Sequence, residues 1–346
     1  MIGARGQAYR PVPVPVRAGG KLVAVLTAIE MQMRMSDGMS MPAPFSWTHL
    51  YATRMSWSIN LALVLAVIAY VAGVRSWNRR QPTTWSAKRS LAFAFAIVIV
   101  GIATEALPGV YDMTLFSAHM VQHLLLIMVA AGLFAMAAPL ELALATLPGA
   151  IGRGFHRLVD SKLGEVIGHP IFGFAAYAIF IPSTHLTSLF NQMLLHMWVH
   201  RLEQVAFLLI GYLFWRPVVG IEPSRHPLAP GLRLVYLALA VPIDTFTGLA
   251  LVMSGHIEFS AYAAQHRTWG PSILSDIKTG GALMWIGGDL LMLGAMIPVA
   301  YLWMKDEESK TVALDARLDA ERAAQAIEDA QAASSAQQPG VSSQRP

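Results

Sequence analysis

The chain alternates between long apolar segments and short polar ones along most of its length. Seven segments approach the roughly 20 apolar residues that a helix needs to cross a membrane. They lie at 57–74, 91–107, 119–138, 166–187, 193–215, 232–253 and 281–304. This pattern predicts an all-α, polytopic integral membrane helix bundle with about seven transmembrane helices. The fourth segment is the weakest, because Glu165, His169 and Pro170 occupy its start.

Three regions follow from this pattern. Residues 1–56 form a Met-rich N-terminal tail, which we expect outside the cytoplasm, and residues 57–304 form the seven-helix domain. Residues 305–346 form a cytoplasmic C-terminal tail. Its first part is rich in Ala, Glu and Asp and is predicted to be helical, whereas its last residues have the composition of a disordered segment.

Composition supports a membrane protein and excludes several site types. Hydrophobic residues make up 55% of the chain and charged residues only 13%, against about 25% charged in ordinary soluble domains. Cysteine is absent, which excludes disulfides, thiolate metal sites and a cysteine nucleophile. The formal charge is +4, but the basic residues lie in short loops between apolar runs. This placement is typical of membrane topology and not of nucleic-acid binding.

The basic loops predict the orientation of the bundle. The loops after the first, third and fifth segments are rich in Lys and Arg and should be cytoplasmic: Arg75, Arg79, Arg80, Lys88, Arg89; Arg153, Arg157, Lys162; Arg216, Arg225, Arg233. The N-terminus is then outside and the C-terminus inside. Six basic residues before the first segment oppose this orientation, and a translation start at Met31 or beyond would remove much of the conflict.

Histidines concentrate at the predicted outer face. Eight of the eleven fall there: His49, His119, His123, His185, His196, His200, His256 and His266. His119 and His123 are four residues apart, and His196, His200 and Glu203 follow an i, i+4, i+7 spacing that places them on one helix face. Because two imidazoles one turn apart can reach the same ion, we predict a metal-capable or proton-relay cluster between helices.

Other polar and sulfur-bearing residues extend this hypothesis. Five methionines in the N-terminal tail could collect copper through their thioethers: Met31, Met33, Met35, Met39 and Met41. Glu105 and Asp244 lie within apolar segments, where ionisable groups are costly and usually functional. Interhelical hydrogen bonding is the alternative for these acids, and an interfacial polar role is the alternative for any single histidine.

Three motifs resemble one known family. They are FSAHMVQHLLLIMVA at 116–130, HRLEQVAFLLIGYLFWRPVVG at 200–220 and WGPSILSDIKTGGALMWIGGDL at 269–290, which contains Asp276. Together they resemble the CtaG family of polytopic cytochrome c oxidase assembly factors, over roughly residues 111–293. The resemblance implies a non-enzymatic protein of the bacterial inner membrane that acts in copper delivery to haem-copper oxidase subunits at the outer face. Periplasmic copper chaperones would be further partners.

The chain departs from the family pattern at one position. The family's fifth helix usually reads His-x-x-Glu-His, and here His200 and Glu203 are followed by Gln204. Glutamine is a poor ligand for Cu(I), so either His196, one turn earlier, replaces the missing ligand or the site binds copper more weakly. His185 falls near another histidine that the family pattern implies, at the outer end of the fourth segment.

Two other functions remain open from the sequence. A membrane b-type haem or quinone-linked redox protein would also place histidines on facing helices. Adjacent i, i+4 pairs favour a small ion over haem, which takes one His from each of two helices. A metal or proton transporter would need ionisable residues along a path to the cytoplasm, and below the outer third the segments hold only Asp244 and Asp289.

Overall fold

The computed structural model describes residues 42–44, 53–255, 259–265 and 267–336. Every regular element in these residues is helical, and two π-helical segments, Leu125–Ala130 and Leu283–Gly287, join α4 to α5 and α14 to α15. The helices are α1 Trp57–Arg80, α2 Ala87–Glu105, α3 Leu107–Tyr111, α4 Phe116–Leu124, α5 Ala131–Ala137, α6 Pro139–Thr146, α7 Gly149–Asp160, α8 Lys162–Gly168, α9 Pro170–Leu186, α10 Leu189–Leu195, α11 Met197–Val219, α12 Pro230–Met253, α13 Ser260–Ala263, α14 Ile273–Ala282 and α15 Gly288–Ala336.

The membrane-spanning helices confirm the predicted all-α polytopic bundle. Six helical stretches are long and apolar enough to cross a membrane, and α8 with α9 makes a seventh if this pair is one span, bent by 64°. The bend falls at His169, whose backbone is extended just before Pro170. Proline disfavours a helical conformation in the residue before it, so the sequence breaks the span where it was predicted to be weakest.

The span that begins at Phe116 is widened by its π-helical segment. Within this segment the carbonyl of Ile127 accepts a hydrogen bond from Nε1 of Trp215 at 3.0 Å. α11 approaches closely here, since a Cβ on Gly211 would stand only 2.5 Å from the same carbonyl oxygen. Glycine therefore allows α11 to pack directly against the span that carries His119 and His123.

The core forms where α4, α5, α9, α11, α12, α14 and α15 pack together. Aromatic rings fill one end of this core: Phe116 lies 5.0 Å from Phe259 and 5.3 Å from Phe190, between ring centroids. α1 lies at the periphery and contacts α2 and α6. Its apolar side chains, such as Leu65 and Ile68, are exposed and would face lipid.

The structure describes most of the predicted C-terminal tail but little of the predicted N-terminal tail. α15 continues without a break past Lys305 to Ala336, so the predicted boundary at residue 304 lies within one helix. This extension carries ion pairs at helical spacing, such as Arg317 with Glu321 at 2.9 Å. Residues 1–41 lie outside the described residues, and so do the predictions for the methionines that this tail contains: Met31, Met33, Met35, Met39 and Met41.

A buried carboxylate fastens the loop after α11 to the start of α6. Glu222 accepts hydrogen bonds from the backbone N–H of Leu140, at 2.8 Å, and from the hydroxyl of Tyr212, and its carboxylate lies 3.3 Å from Nε of Arg216. Burial raises the pKa of Glu222 above its usual range, although these partners oppose the shift. The contact joins the loop after α11 to α6 at the end of the bundle that carries the basic loops.

Candidate metal site

The position of His119 is set by the way α4 begins. Asp276, at the start of α14, accepts hydrogen bonds from the backbone N–H of Phe116 at 2.8 Å and from the hydroxyl of Ser117 at 2.6 Å. A carboxylate at a helix N-terminus satisfies unpaired N–H groups and interacts favourably with the helix dipole. Asp276 is 3% exposed, so it fixes α4 against α14 inside the bundle and serves as a cap.

Three ligand-type side chains converge between α4 and α11. Nε2 of His119 lies 3.3 Å from Oε1 of Glu203, and Nδ1 of His200 lies 3.3 Å from Oε2 of the same carboxylate. Their candidate ligand atoms all lie within 4.8 Å of one another. Across the described ranges, these three residues form the one such group of His, Asp or Glu side chains. We call this group the metal cluster.

Most polar side-chain atoms of the metal cluster lack hydrogen-bond partners among the described residues. Both ring nitrogens of His119, Nδ1 of His200 and both oxygens of Glu203 are buried and have none with acceptable geometry. Polar groups buried in this way are costly, and their convergence on one point is what a bound cation requires. Two imidazoles and a carboxylate suit divalent copper, zinc or iron better than Cu(I), which prefers thioether ligands.

Asp112 orients His200 and was missed by the sequence reasoning. Its Oδ2 lies 2.9 Å from Nε2 of His200 and accepts a hydrogen bond from the amide of Gln122, also at 2.9 Å. A carboxylate on one ring nitrogen fixes the tautomer and leaves the other nitrogen, here Nδ1, to face an ion. The available signal was a single acid in the otherwise uncharged connection 106–115.

Two further groups hold Asp112 in place. The hydroxyl of Tyr262 donates to the backbone carbonyl of Asp112 at 2.8 Å. Burial and nearby carboxylates raise the pKa of Tyr262 well above its ordinary value, so the phenol stays protonated and donates. Arg54 lies 3.6 Å from Oδ1 of Asp112 and supplies a nearby positive charge.

The remaining predicted histidines occupy different positions. His123 and His185 contact each other, with Nδ1 of His123 3.2 Å from Nε2 of His185. His196 has an extended backbone and is the N-cap residue of α11, which begins at Met197. It is half-buried and is not part of the metal cluster. The amide nitrogen of Gln204 lies 3.1 Å from Nε2 of His200, which is the same ring nitrogen that contacts Asp112.

Glu105 and Asp244 lie outside the metal cluster. Glu105 accepts a hydrogen bond from the backbone N–H of Ser56 at 2.7 Å and thus caps the start of α1. Asp244 accepts a hydrogen bond from the hydroxyl of Tyr177 at 2.6 Å, which links α12 to α9. Both acids therefore form hydrogen bonds between helices, which is the structural role that the sequence left open for them.

The fold and the cluster define a polytopic α-helical membrane protein with a buried histidine–carboxylate site at one end of its bundle. Residues 68–306 match the family model Caa3_CtaG, which describes the cytochrome c oxidase caa3 assembly factor. The match covers more than half of the chain. The protein therefore belongs to the Caa3_CtaG family, which confirms the resemblance seen in the motifs.

Mycobacterial proteins are similar to most of the chain. The chain is 27% identical over 293 residues to "Uncharacterized protein ML1998" of Mycobacterium leprae, covering 82% of this chain and 44% of that protein. It is also 27% identical over 282 residues to "Uncharacterized protein MT0111" of Mycobacterium tuberculosis, covering 78% of this chain and 42% of that protein. The chain thus spans less than half the length of these relatives. No solved structure shows significant similarity to it.

Proposed function

We propose that this protein assists cytochrome c oxidase assembly by holding a copper ion in the metal cluster and passing it to an oxidase subunit. The observation that carries the proposal is the convergence of unpartnered ligand atoms of His119, His200 and Glu203 in a buried site. Imidazole nitrogen is a common copper ligand. Copper is the cargo here, and no substrate is turned over.

The position of the cluster supports binding at the outer face of a bacterial inner membrane. His119 is the fourth residue of α4 and His200 the fourth of α11, so both lie near one end of the bundle. The helices α4 to α6 follow one another along the chain, and His119 lies near the start of this stretch. The basic residues Arg153, Arg157 and Lys162 lie in α7 and α8, which follow its other end. By the positive-inside rule, the basic end is cytoplasmic and the cluster faces outward.

Each neighbouring residue has a role in holding such an ion. His119 and His200 would supply nitrogen ligands, and Glu203 would supply oxygen and a compensating negative charge. Asp112 keeps the ligand nitrogen of His200 free of a proton by accepting from the other one. The burial of all three cluster residues excludes competing water, so release requires a partner or a movement that opens this end. Oxidase subunits and periplasmic copper chaperones are the proposed partners.

The geometry disfavours a b-type haem at the cluster. A haem would have to insert its macrocycle between two axial imidazoles. The rings of His119 and His200 are only 5.5 Å apart between centroids, and His119 packs against Phe190 at 4.9 Å. Packed side chains therefore occupy the space that a macrocycle would need.

Copper analysis of the purified protein tests the proposal. We expect about one copper per wild-type chain by elemental analysis after loading and desalting, and a loss of most of it in a His119→Ala, Glu203→Gln double variant. His156→Ala, an exposed histidine in α7, is the matched control and should keep wild-type copper. Equal copper in wild type and double variant would refute the site.

A complementation assay separates copper binding from assembly. In a strain that lacks this protein, the wild-type chain should restore oxidase activity and the copper content of the oxidase, and the double variant should not. A stoichiometric Soret band in the purified protein would instead support the haem alternative. Restoration of oxidase by a copper-free variant would contradict the delivery role.

A further inference from the structure

A cavity lies at the basic end of the bundle, far from the metal cluster. It lies between α6, α7 and α8 on one side and the last turns of α11 with the loop after it on the other. Its volume is about 460 Å³, within the roughly 300 to 1,000 Å³ of ligand-binding clefts. Arg216, which lines it, lies about four helical turns after His200 in α11, or roughly 24 Å along the helix. The cavity is therefore separate from the metal cluster.

The helices beside the cavity have the pattern of helices that lie in the membrane surface. On α7, the exposed apolar side chains Ile151 and Leu158 share one face, and the exposed Arg153 and Arg157 lie on the opposite face. α8 adds the exposed Leu163. Short helices that expose apolar and basic side chains in this way lie among the lipid headgroups. The cavity is therefore placed where the head and upper chains of a lipid can enter it.

The lining of the cavity is itself amphipathic. Leu144, Val159 and Leu213 are among its apolar side chains, and Arg216 and Arg225 are its two arginines. An apolar wall accommodates an acyl chain without loss of hydrogen bonds. A guanidinium offers paired N–H donors that match the oxygens of a phosphate group. The lining thus fits an amphiphile with an anionic head.

Arg216 has hydrogen-bonding capacity left for such a head. Its Nη2 donates to the backbone carbonyl of Pro223 at 2.5 Å, and its Nε lies 3.3 Å from a carboxylate oxygen of Glu222. The second contact lacks hydrogen-bond geometry, and Nε is buried with no other partner among the described residues. The side chain is only 12% exposed, and a buried donor without a partner is costly. A phosphate oxygen in the cavity would supply the acceptor that this guanidinium lacks.

The charges around the cavity favour an anionic lipid over a zwitterionic one. Arg225 forms ion pairs with Asp160 at 3.1 Å and with Glu165 at 3.5 Å, but these pairs are exposed and therefore weak. Together with the two arginines of the lining, the basic residues of α7 and α8 outnumber the acids of α7, α8 and the loop after α11. Basic pockets between helices on the cytoplasmic side are typical sites for anionic lipid headgroups.

We propose that this cavity binds one anionic phospholipid from the leaflet at the basic end of the bundle. Its phosphate contacts Arg216 and Arg225, and part of an acyl chain lies along the apolar lining. α7 and α8 pack mainly on each other and on their chain neighbours α6 and α9. The lipid therefore fills the space between these two helices and α11. The site is independent of copper, so it stands or falls separately from the proposed function.

Native mass spectrometry of the delipidated full-length protein tests the site. Phosphatidylglycerol, which is anionic, and phosphatidylcholine, which is zwitterionic, are the two probes and carry the same acyl chains. We expect one phosphatidylglycerol per chain to bind more tightly than phosphatidylcholine. Glycerol 3-phosphate, which has an anionic head and no acyl chain, should not displace it, because the apolar lining contributes to binding. Displacement by glycerol 3-phosphate would identify a phosphate site and overturn the lipid assignment.

Variants separate the head contact from the apolar lining. Arg225→Gln, at an exposed position, should weaken phosphatidylglycerol binding about fivefold, the contribution of one basic residue near an anionic lipid surface. It should leave phosphatidylcholine binding unchanged. Val159→Trp fills the cavity and should weaken the binding of both lipids. Arg80→Gln, an exposed arginine at the end of α1 that does not line the cavity, is the matched control and should behave as the wild type.

A photoactivatable phosphatidylglycerol gives a readout on the wild-type protein that does not depend on the folding of a variant. The cross-links that unlabelled phosphatidylglycerol competes away should map to α7, α8 or the loop after α11. Competed cross-links confined to other helices, or equal lipid binding in the wild type and Val159→Trp, would overturn the cavity as the site. Equal affinity of the wild type for the two lipids would overturn the recognition of an anionic head.

Discussion

At the scale of single residues, the site separates side chains that can touch an ion from those that orient them. His119, His200, Glu203 and His123 each have a buried polar atom without a hydrogen-bond partner. Oδ1 of Asp112 also has none and lies 3.6 Å from Arg54. Oδ2 of Asp112 and Nε2 of His185, in contrast, each contact a neighbouring imidazole. Apart from Arg54, all of these residues are polar and nearly completely buried. The distinction therefore comes from hydrogen-bond partners and not from exposure.

Asp112 provides a test of this division at the metal cluster. Asp112→Ala removes the acceptor on Nε2 of His200, so the proton can move to Nδ1 and compete with the ion. We expect one copper per chain to be retained, with an affinity weakened about 10- to 100-fold. Chelator competition measures the change. Asp112→Asn, which retains an acceptor oxygen, is the matched control and should lose less. An unchanged affinity in the alanine variant would contradict the orienting role.

Asp244 should contribute to stability and not to copper binding. Its hydrogen bond from Tyr177 links α12 to α9 within the membrane. A double-mutant cycle with Tyr177→Phe and Asp244→Ala should give a coupling of about 0.6 kcal/mol, and at most about 1.7 kcal/mol, as for other hydrogen bonds between membrane helices. Reversible unfolding in mixed micelles measures this coupling. Copper content should remain at the wild-type value, and its loss in Asp244→Ala would contradict the structural assignment.

At the scale of helices, the ends and interruptions decide where the side chains point. Asp276 caps α4, α11 begins only at Met197, and the α8–α9 bend lies at His169–Pro170. The sequence predicted the weak fourth span because proline and charged residues are local signals. It did not predict the break before α11, since the run from Leu195 to Val199 contains neither glycine nor proline. His196 is therefore the N-cap residue of α11 and not part of its first turn, and its role as a ligand stays a prediction.

The contact of Glu222 with the start of α6 predicts a pH dependence. Its pKa is raised in the folded protein, so the folded state holds this proton more tightly than the unfolded chain. The associated stability is present at low pH, below the unfolded pKa, and is lost as the pH rises through the raised folded pKa. Unfolding free energies measured from about pH 4 to pH 8 should fall less steeply in Glu222→Gln than in the wild type. Parallel slopes would contradict the shift.

At the scale of the whole molecule, the bundle has two chemically different ends. Ligand-type side chains collect near the starts of α4 and α11, while basic residues surround α7 and α8. This separation agrees with an ion site on one side of the membrane and the positive-inside rule on the other. At the basic end, Arg225 forms exposed ion pairs with Asp160 and Glu165, which compensate part of the charge there.

The proposed orientation can be tested directly because the chain has no cysteine. Single variants Thr268→Cys, in the loop before α14, and Lys162→Cys, at the start of α8, place a thiol at exposed positions near opposite ends. In intact cells or spheroplasts, a membrane-impermeant maleimide should label only Thr268→Cys. Both variants should be labelled after lysis. Labelling of Lys162→Cys alone in intact cells would reverse the proposed topology.

The sequence by itself determined the class of this protein and most of its candidate ligands. Apolar runs long enough to span a bilayer must become helices, because no water inside the membrane can satisfy exposed backbone groups. The i, i+4 and i+3 spacings of His119–His123 and His200–Glu203 then follow from helix geometry. These inferences need only local information, which a single sequence contains.

Only the tertiary structure decided which of these side chains meet. It brought His119 of α4 to His200 and Glu203 of α11, paired His123 with His185, and placed Asp112 behind His200. Such contacts join residues 62 to 88 positions apart and depend on how each helix rotates and ends. Helix periodicity fixes which side chains share a face, but it does not fix which neighbouring helix that face meets.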